Sequence, residues 1–426
     1  MASEDSKQKP HVLEQDKGVV VVEEEEEKEL NNETKNRKKS KKRRSSSYLP
    51  KFCFRIEYGA KGEGFDMEMV DASDSQRPKP THLIIMVNGL IGSAKNWKFA
   101  AKQFLKRYPH DAVVHCSECN PARLTFDGVD VMGDRLAKEV IVVIKRHPSV
   151  KKISFVGHSL GGLVARYAIA KLYEGDISME FSHESKNCEG KIAGLEPINF
   201  ITSATPHLGS CGHKQCPMFF GSRHAEKAAI RASGLLRRTG KHLFLTDGTN
   251  GKPPLLLQMV RDSEDLKFIS ALRSFKRRVA YANVRYDKLV GWSTSSIRRR
   301  NELPKRQNLS SHEDYRHIVN VETAAPSSDP NQVPTESQVN SNGSSRLDME
   351  EEMIRGLTRM SWERIDVRFK GTMQKFLAHS TIQASYQNSK AVSIRGVHLS
   401  NSISISAVFI RIRYKNYRYG SDLQGF

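Results

Sequence analysis

The 426-residue sequence predicts an α/β fold with a mostly parallel central sheet. From residue 52 onward, short apolar runs alternate with segments of helical periodicity, a pattern typical of β-α-β units. The run at 83–87 is apolar throughout and ends in Asn88-Gly89, as a strand buried on both faces does. We predict strands at 52–58, 65–70, 83–87, 112–116, 153–156, 198–203, 279–284 and 364–369, and helices at 97–108, 136–144 and 160–173.

The composition divides the chain into a central domain with polar ends. Residues 1–47 carry an acidic run and then a basic run, and like-charge blocks of this kind repel and stay unfolded. We therefore expect a disordered arm at 1–47 and an α/β domain at 48–383. Glycines and prolines separate helical segments at 211–275, where a cap over the strand ends is expected. The Pro- and Ser-rich segment 322–346 is expected to be a disordered insert, and 384–426 a divergent tail.

The formal charge of +20 at pH 7 bears on the partners of the protein. The basic run at 35–44 predicts contact with an anionic membrane or, alternatively, a nuclear address. No aromatic and basic motif of a DNA or RNA module accompanies the charge, so no nucleic-acid partner is expected. The start of the chain lacks a secretory or transit signal, and its apolar runs are shorter than a membrane helix. We therefore expect a cytoplasmic protein that is at most peripheral on membranes or lipid droplets.

Six cysteines in a chain that we expect to be cytoplasmic predict free thiols rather than a disulfide framework. Cys116 and Cys119 form a CxxC, and a second Cys/His group lies at 211–216, so a zinc site is the alternative. Neither spacing is that of a known zinc finger, and we expect no metal.

A GxSxG motif carries the strongest chemical signal in the sequence. It reads Gly157-His158-Ser159-Leu160-Gly161 and lies between a predicted strand and a predicted helix, the context of a nucleophile elbow in the α/β-hydrolase fold. Gly157 and Gly161 let the strand and the helix pass closely, and the tight turn exposes the serine at the carboxyl edge of the sheet. Ser159 is therefore the predicted nucleophile, and its neighbours Gly157, His158 and Gly161 are expected to support the site.

A serine hydroxyl is a poor nucleophile and needs an oxyanion hole, a base and an acid. The backbone N–H groups of Leu160, which follows the nucleophile, and of Leu90, in the turn after the strand at 83–87, are the natural oxyanion donors. Gly89 frees the backbone of this turn to face the site.

Asp287 directly follows the predicted strand 279–284, where a carboxylate stands at the active edge of the sheet. The alternatives Asp247, Asp262 and Asp265 fall in the helical region at 211–275 and have the surroundings of turn or N-cap residues. Asp287 is the predicted acid.

The order Ser, Asp, His along the chain leaves four candidates for the base: His312, His317, His379 and His398. The first two lie in a charged segment, where exposed histidines are usual. His379 follows an apolar pair near the returning strand, so we predict it as the general base. His207 precedes the acid in sequence and is expected in the wall of the pocket instead.

Seven segments resemble the plant branch of the putative serine esterase family of lipase-like α/β-hydrolases: THLIIMVNGLIGSAKNW, FVGHSLGGLVARY, NFITSATPHLGS, KHLFLTDGTNGKPPLLLQM, RRVAYANVRYDKLVGW, TSSIRRRNELPK and FLAHSTIQ. The resemblance covers roughly 49–383 and implies Ser159, Asp287 and His379 as the triad. It also implies Asn88-Gly89-Leu90 as the oxyanion loop, with Asn88 where many lipases have histidine. After residue 383 the sequence departs from the family, since it lacks an amphipathic closing helix.

These observations predict a serine hydrolase of carboxylic esters that acts through an acyl-enzyme and needs no cofactor. The resemblance implies a lipase- or phospholipase-like acyl hydrolase of lipid metabolism, with a lipid or other ester as its substrate. The alternative is a catalytically inactive scaffold of the same fold that binds lipid or protein.

Overall fold

The computed structural model of the protein describes much of the expected domain and parts of its N-terminal arm. The described residues are 12–15, 18–26, 51–60, 62–70, 79–175, 190–211, 215, 217, 224, 228, 231, 233–249, 251–312, 315–325, 346–369 and 377–383.

The described strands are β1 (Val12–Gln15), β2 (Gly18–Glu26), β3 (Lys51–Tyr58), β4 (Phe65–Val70), β5 (His82–Val87), β6 (Ala112–Cys116), β7 (Lys152–His158), β8 (Tyr173–Glu174), β9 (Lys191–Ile192), β10 (Glu196–Ser203), β11 (Arg277–Asn283), β12 (Ile318–Ala324) and β13 (Trp362–Val367). Eleven of them form one sheet, in the order β1-β2-β3-β4-β6-β5-β7-β10-β11-β13-β12, and β8 and β9 form a separate pair. The run from β6 to β13 in this order is parallel, whereas β1 to β4 and the edge strand β12 pair antiparallel.

Helices flank this sheet, and the α/β-hydrolase fold predicted from the sequence is confirmed. The described α-helices are α1 (Lys98–Arg107), α2 (Val129–Arg146), α3 (Leu160–Leu172), α4 (Arg237–Leu243), α5 (Leu255–Gln258), α6 (Phe268–Ser274), α7 (Trp292–Ser296), α8 (Arg346–Leu357) and α9 (Ala378–Thr381). None of these described helices has the length and apolar composition needed to cross a membrane.

Both faces of the central strand β5 are buried. Leu83, Ile85 and Val87 belong to a core that also contains residues of α2, α3, α6 and α8. Ile84 and Met86, which alternate with them, belong to a second core with residues of α1. Because successive side chains of a strand point to opposite faces, this double burial explains the continuous apolar run in β5.

The N-terminal region differs from the expected disordered arm in having two strands. β2 pairs with β3 from Val20 to Glu26, with Val21 opposite Ile56 and Val22 opposite Arg55. The run of four valines in β2 favours a strand, and pairing covers the edge that β3 would otherwise present to water. The basic run at 35–44 lies outside the described residues.

Both ends of the insert expected at 322–346 belong to regular elements of the structure. β12 continues to Ala324, paired with β13, and α8 begins at Arg346. Met353, Ile354 and Leu357 of α8 are buried in the core, so packing on neighbouring elements stabilises this helix. The residues between 326 and 345, and the tail at 384–426, lie outside the described part.

Part of the expected cap belongs to the core instead. Phe268 of α6 packs against Tyr167 of α3, with ring centroids 5.6 Å apart. Phe275 packs edge-on against Phe155 and Phe200 of the central strands. The end of the 211–275 segment is therefore a helix that flanks the sheet, because its aromatic side chains are buried there.

A buried ionic cluster joins β4, β6 and α2. His115 lies between two carboxylates. Its Nδ1 is 2.6 Å from Oδ1 of Asp66, and its Nε2 is 3.3 Å from Oε1 of Glu139. The contact with Glu139 is an ion pair whose angles do not suit a hydrogen bond. Burial lowers the pKa of His115, but Glu139 and Asp66 raise it by more, to about 9. The pKa values of both carboxyls lie below their usual range, so the cluster is charged at neutral pH.

This cluster predicts a loss of stability at alkaline pH. Because the pKa of His115 is higher in the folded than in the unfolded protein, its stabilisation is complete below about pH 6.5 and is lost as the pH rises through about 9. We expect the free energy of unfolding to fall by about 1 to 3 kcal/mol over that range. Denaturant titrations of the wild type and of His115→Gln between these pH values measure it. Equal pH dependence in the two proteins would contradict this role of His115.

Candidate active site

Ser159 lies in the sharp turn between β7 and α3. Its backbone has φ 53° and ψ −127°, a region in which non-glycine residues are strained. A Cβ on Gly157 would lie 2.6 Å from the Cα of Gly162, and a Cβ on Gly161 would press against the Val87 carbonyl. The close approach of strand and helix therefore requires these glycines, as the motif predicts.

The structure brings Ser159, His379 and Asp287 into one hydrogen-bonded row. Nε2 of His379 lies 2.9 Å from Oγ of Ser159, and Nδ1 lies 2.9 Å from Oδ2 of Asp287. An ionised carboxylate only accepts hydrogen bonds, so Nδ1 carries the proton and Nε2 accepts the serine hydroxyl proton. The serine and the aspartate are 8% and 7% exposed, so Ser159 is less accessible in the structure than the motif predicts.

Asp287 is held by four donors. Oδ1 accepts the backbone N–H groups of Leu289 and Val290, each at 2.9 Å, while Oδ2 accepts Nδ2 of Asn283 at 2.9 Å in addition to His379. Burial raises the pKa of the Asp287 carboxyl, but His379 and these hydrogen bonds lower it by more. The pKa therefore lies below its usual range, and the carboxylate is ionised at neutral pH.

The turn after β5 lies against the nucleophile. A Cβ on Gly89 would lie 2.8 Å from the Cβ of Ser159, so only glycine fits at this position. Nδ2 of Asn88 donates to the Gly89 carbonyl at 3.2 Å and to the Asn120 carbonyl at 3.4 Å. The asparagine thus braces the predicted oxyanion turn through its side chain.

The two predicted oxyanion donors, Leu90 and Leu160, directly follow the two residues of this contact, Gly89 and Ser159. Leu160 begins α3, where the first N–H groups have no intrahelical acceptor. The next N–H of the turn, that of Ile91, donates instead to Oγ1 of Thr125 at 3.0 Å. Ile91 has φ 57°, so this hydrogen bond helps to hold a strained backbone in place.

Thr125 also links the oxyanion turn to α4. Its carbonyl accepts the hydroxyl of Thr239 at 2.8 Å, and that hydroxyl accepts the N–H of Gly128 at 3.0 Å. The sequence contains no local signal for these contacts, because they join residues 34 and 114 positions apart.

His158 and Asn283 contact the segment that carries His379. Nε2 of His158 donates to the His379 carbonyl at 2.7 Å, and Nδ2 of Asn283 donates to the Ala378 carbonyl at 3.3 Å. His158 is in the motif and was predicted only to support the site, whereas Asn283 was not predicted.

His207 and His317 differ from their expected surroundings. His207 is completely buried, with Nε2 2.9 Å from Oγ1 of Thr202 and its ring against that of Trp362. It is part of the core rather than of a pocket wall, because the loop after β10 turns it inward. His317 is also buried, near the Arg368 carbonyl, rather than exposed. His398 lies outside the described residues.

Among the described side chains, no group of three His, Cys, Asp or Glu is arranged to hold a metal ion. Cys116 and Cys119 are free thiols, and burial raises the pKa of each well above its usual value. The second group of the zinc alternative, at 211–216, lies mostly outside the described residues.

Large apolar side chains close to the site are exposed. Ile91 of the oxyanion turn is 64% exposed, Leu289 beside the acid 47%, and Leu377 beside the base 49%. Each is within two residues of a predicted site residue, so the surroundings of the site include apolar surface.

Yeast relatives match about half of the chain. Putative lipase ROG1 of Saccharomyces cerevisiae is 33% identical over 223 residues, which are 51% of this chain and 29% of the relative. Putative lipase YDL109C of the same yeast is 31% identical over 221 residues, 51% of this chain and 30% of the relative. The chain thus spans less than a third of the length of these relatives.

Solved structures with partial similarity include lipases and esterases. The lipase BlEst2 of Bacillus licheniformis, in its propeptide form, has a TM-score of 0.30 at 18% identity. The match covers 50% of this chain and 37% of the lipase. Carboxyl esterase 2 of Tuber melanosporum has a TM-score of 0.32 at 11% identity, and the match covers 55% of this chain and 63% of the esterase.

A family model described as "Putative serine esterase" matches residues 77–297, more than half of the chain. The matched segment contains Ser159 and Asp287 and ends before His379. The chain belongs to this putative serine esterase family.

Proposed function

We propose that this protein hydrolyses carboxylic esters with Ser159 as nucleophile, His379 as general base and Asp287 as the acid that orients the base. The observation that carries the proposal is the row of two 2.9 Å hydrogen bonds through His379, at a strained turn between strand and helix. Family membership and the lipase names of the relatives support an ester as the substrate.

The arrangement can perform acyl transfer in two steps. Nε2 of His379 takes the hydroxyl proton as Oγ of Ser159 attacks the ester carbonyl. It then donates this proton to the departing alkoxide, which leaves as the alcohol. The acyl-enzyme is hydrolysed when Nε2 takes a proton from water, the resulting hydroxide attacks, and the proton returns to the serine. Asp287 stabilises the imidazolium that forms in each step, and the Leu90 and Leu160 N–H groups are the proposed donors to the oxyanion.

The proposed substrate class is a lipid acyl ester. Two relatives carry the word lipase in their names, and Ile91, Leu289 and Leu377 offer exposed apolar surface beside the site. Burial of an acyl chain against such surface is favourable by about 0.8 kcal/mol for each CH₂ group.

Hydrolysis of p-nitrophenyl esters from acetate to palmitate tests both parts of the proposal. We expect turnover of the short esters and a kcat/KM that rises with acyl length over the first several carbons. Turnover without this rise in kcat/KM would contradict a lipid acyl ester as the substrate and would still support ester hydrolysis. If no ester were turned over, the inactive lipid- or protein-binding scaffold would be the better account.

We also propose that the basic run at 35–44 brings the protein to anionic membrane surfaces. The notable feature is eight Lys and Arg side chains within ten residues, each worth about 1 kcal/mol near such a surface. Since β1 and β2 precede this run and pair with the sheet, charge replacement is a cleaner test than deletion of 1–47.

Replacing these eight residues with glutamine is expected to weaken binding to phosphatidylserine vesicles at low salt by at least about tenfold. Turnover of a soluble ester should not change, because the run is far from Ser159 in sequence and carries none of the predicted site residues. Vesicle sedimentation measures the binding, and equal binding by both proteins would favour a nuclear address instead.

A further inference from the structure

The helix that carries His379 is too short to fix the histidine by itself. α9 comprises four residues, and its helical hydrogen bond joins the Ile382 N–H to the Ala378 carbonyl at 3.1 Å. A single turn gains little stability from its own backbone, since one hydrogen bond does not compensate for the ordering of its residues. Contacts with the rest of the molecule must therefore set the position of the imidazole.

Two buried side chains provide such contacts at consecutive carbonyls. His158, at the end of β7, donates from Nε2 to the His379 carbonyl at 2.7 Å. Asn283, at the end of β11, donates from Nδ2 to the Ala378 carbonyl at 3.3 Å. The first side chain is 5% exposed and the second 2%, so both donors are largely shielded from water.

The protonation of His158 suits this role. Burial, and to a lesser extent the neighbouring His379, lower its pKa to about 3, so the ring stays neutral throughout the physiological range. A carbonyl oxygen can only accept, so the single ring proton is on Nε2. The hydrogen bond therefore persists when His379 takes up a proton during turnover.

The dipeptide at 158–159 contacts His379 at two points. Ser159 meets the imidazole at Nε2, and His158 meets the main-chain carbonyl of the same residue. The rings of the two histidines are also in contact, with centroids 4.9 Å apart. A shift of α9 relative to β7 would break both hydrogen bonds together.

We propose that His158 is a positioning residue, which holds the backbone of His379 so that Nε2 stays within hydrogen-bond distance of Ser159. Asn283 assists from the other side, because its amide bridges the Ala378 carbonyl and Oδ2 of Asp287. The proposal rests on the proposed catalytic function, and it assigns to the residue before the nucleophile a task beyond filling space.

A matched pair of variants isolates this hydrogen bond. His158→Gln keeps an N–H donor at a similar reach, whereas His158→Met has a similar length and lacks a donor. His82→Met is the control, since His82 is also buried and its Nε2 lies 2.8 Å from Oγ of Ser154. His82 is the first residue of β5 and pairs with the first residue of β7, so it lies at the other end of the parallel strands from His158.

The readouts are kcat and KM for p-nitrophenyl butyrate, the rate of reaction with a fluorophosphonate probe, and the melting temperature. We expect His158→Met to react about 10- to 100-fold more slowly with the probe and to lose kcat to the same degree, with KM within about twofold of wild type. His158→Gln should recover most of this loss. His82→Met should match His158→Met in melting temperature while retaining wild-type rates.

A spectroscopic measurement checks the same inference without turnover. The Nδ1 proton of His379, hydrogen-bonded to Asp287, is expected to give a low-field proton NMR signal in the wild type and in His158→Gln. In His158→Met this signal should broaden, because the imidazole is no longer fixed. Wild-type rates and an unchanged signal in His158→Met would overturn the positioning role.

The outcomes also separate this inference from the proposed function. If the wild type and His158→Met react with the probe equally fast, the positioning role of His158 is wrong, and the proposed ester hydrolysis is unaffected. If the wild type shows the NMR signal but neither hydrolyses esters nor reacts with the probe, the proposed function is wrong. Loss of that signal in His158→Met would still support the positioning role.

Discussion

The Ser159→Ala variant is expected to lose at least about 10³-fold in kcat/KM for a short acyl ester. The substitution removes the hydroxyl oxygen, which lies 2.9 Å from Nε2 of His379. The fold should be retained, because alanine occupies the same space without the hydroxyl. Steady-state hydrolysis of p-nitrophenyl butyrate measures the loss, and circular dichroism verifies the fold.

Ser203→Ala is the matched control. Ser203 ends the neighbouring strand β10, its carbonyl accepts the N–H of Ser159 at 2.8 Å, and its own hydroxyl is buried without a hydrogen-bond partner. Alanine preserves the backbone contact, so this variant should keep its activity. Wild-type activity in Ser159→Ala would show that another residue is the nucleophile.

The second large effect is expected for His379→Ala, with a loss of kcat of at least about 10³-fold. Without the imidazole, the Ser159 hydroxyl has no base to take its proton, and Asp287 loses the donor at 2.9 Å from Oδ2. The same assay measures this variant, and its KM should change little because the imidazole acts on the reacting atoms.

His398→Ala is the comparison for this prediction. His398 also follows Asp287 in sequence, and it lies in the segment after 383 that departs from the family pattern. We expect this variant to retain wild-type rates. If His398→Ala abolished activity and His379→Ala did not, the tail would contain the base and the assignment of His379 would be wrong.

Local sequence patterns were sufficient to predict the parallel centre of the sheet and the elements around Ser159. Strand β5 shows why: its burial on both faces demands a continuous apolar run, which is visible without any tertiary information. The glycines at 157 and 161 are likewise set by one local turn, so the motif predicts its own geometry.

Two elements and several side-chain contacts that depend on distant partners were not predicted. The strand β12 and the helix α8 adjoin the polar segment 322–346, and pairing with β13 and packing in the core stabilise them. The roles of Asn283 and Thr125 also come from contacts with residues far away in sequence. His207 was misplaced because chain order excludes it as a base without indicating whether it faces a pocket or the core.

The role of Ser159 as nucleophile is tested most directly by the reaction of the wild-type protein with a fluorophosphonate probe, followed by peptide mapping of the labelled residue. We expect a single phosphonylated residue, Ser159, and much slower labelling in His379→Ala, because only a hydroxyl activated by a base reacts quickly. No labelling of the wild type, or labelling at another serine, would contradict this role.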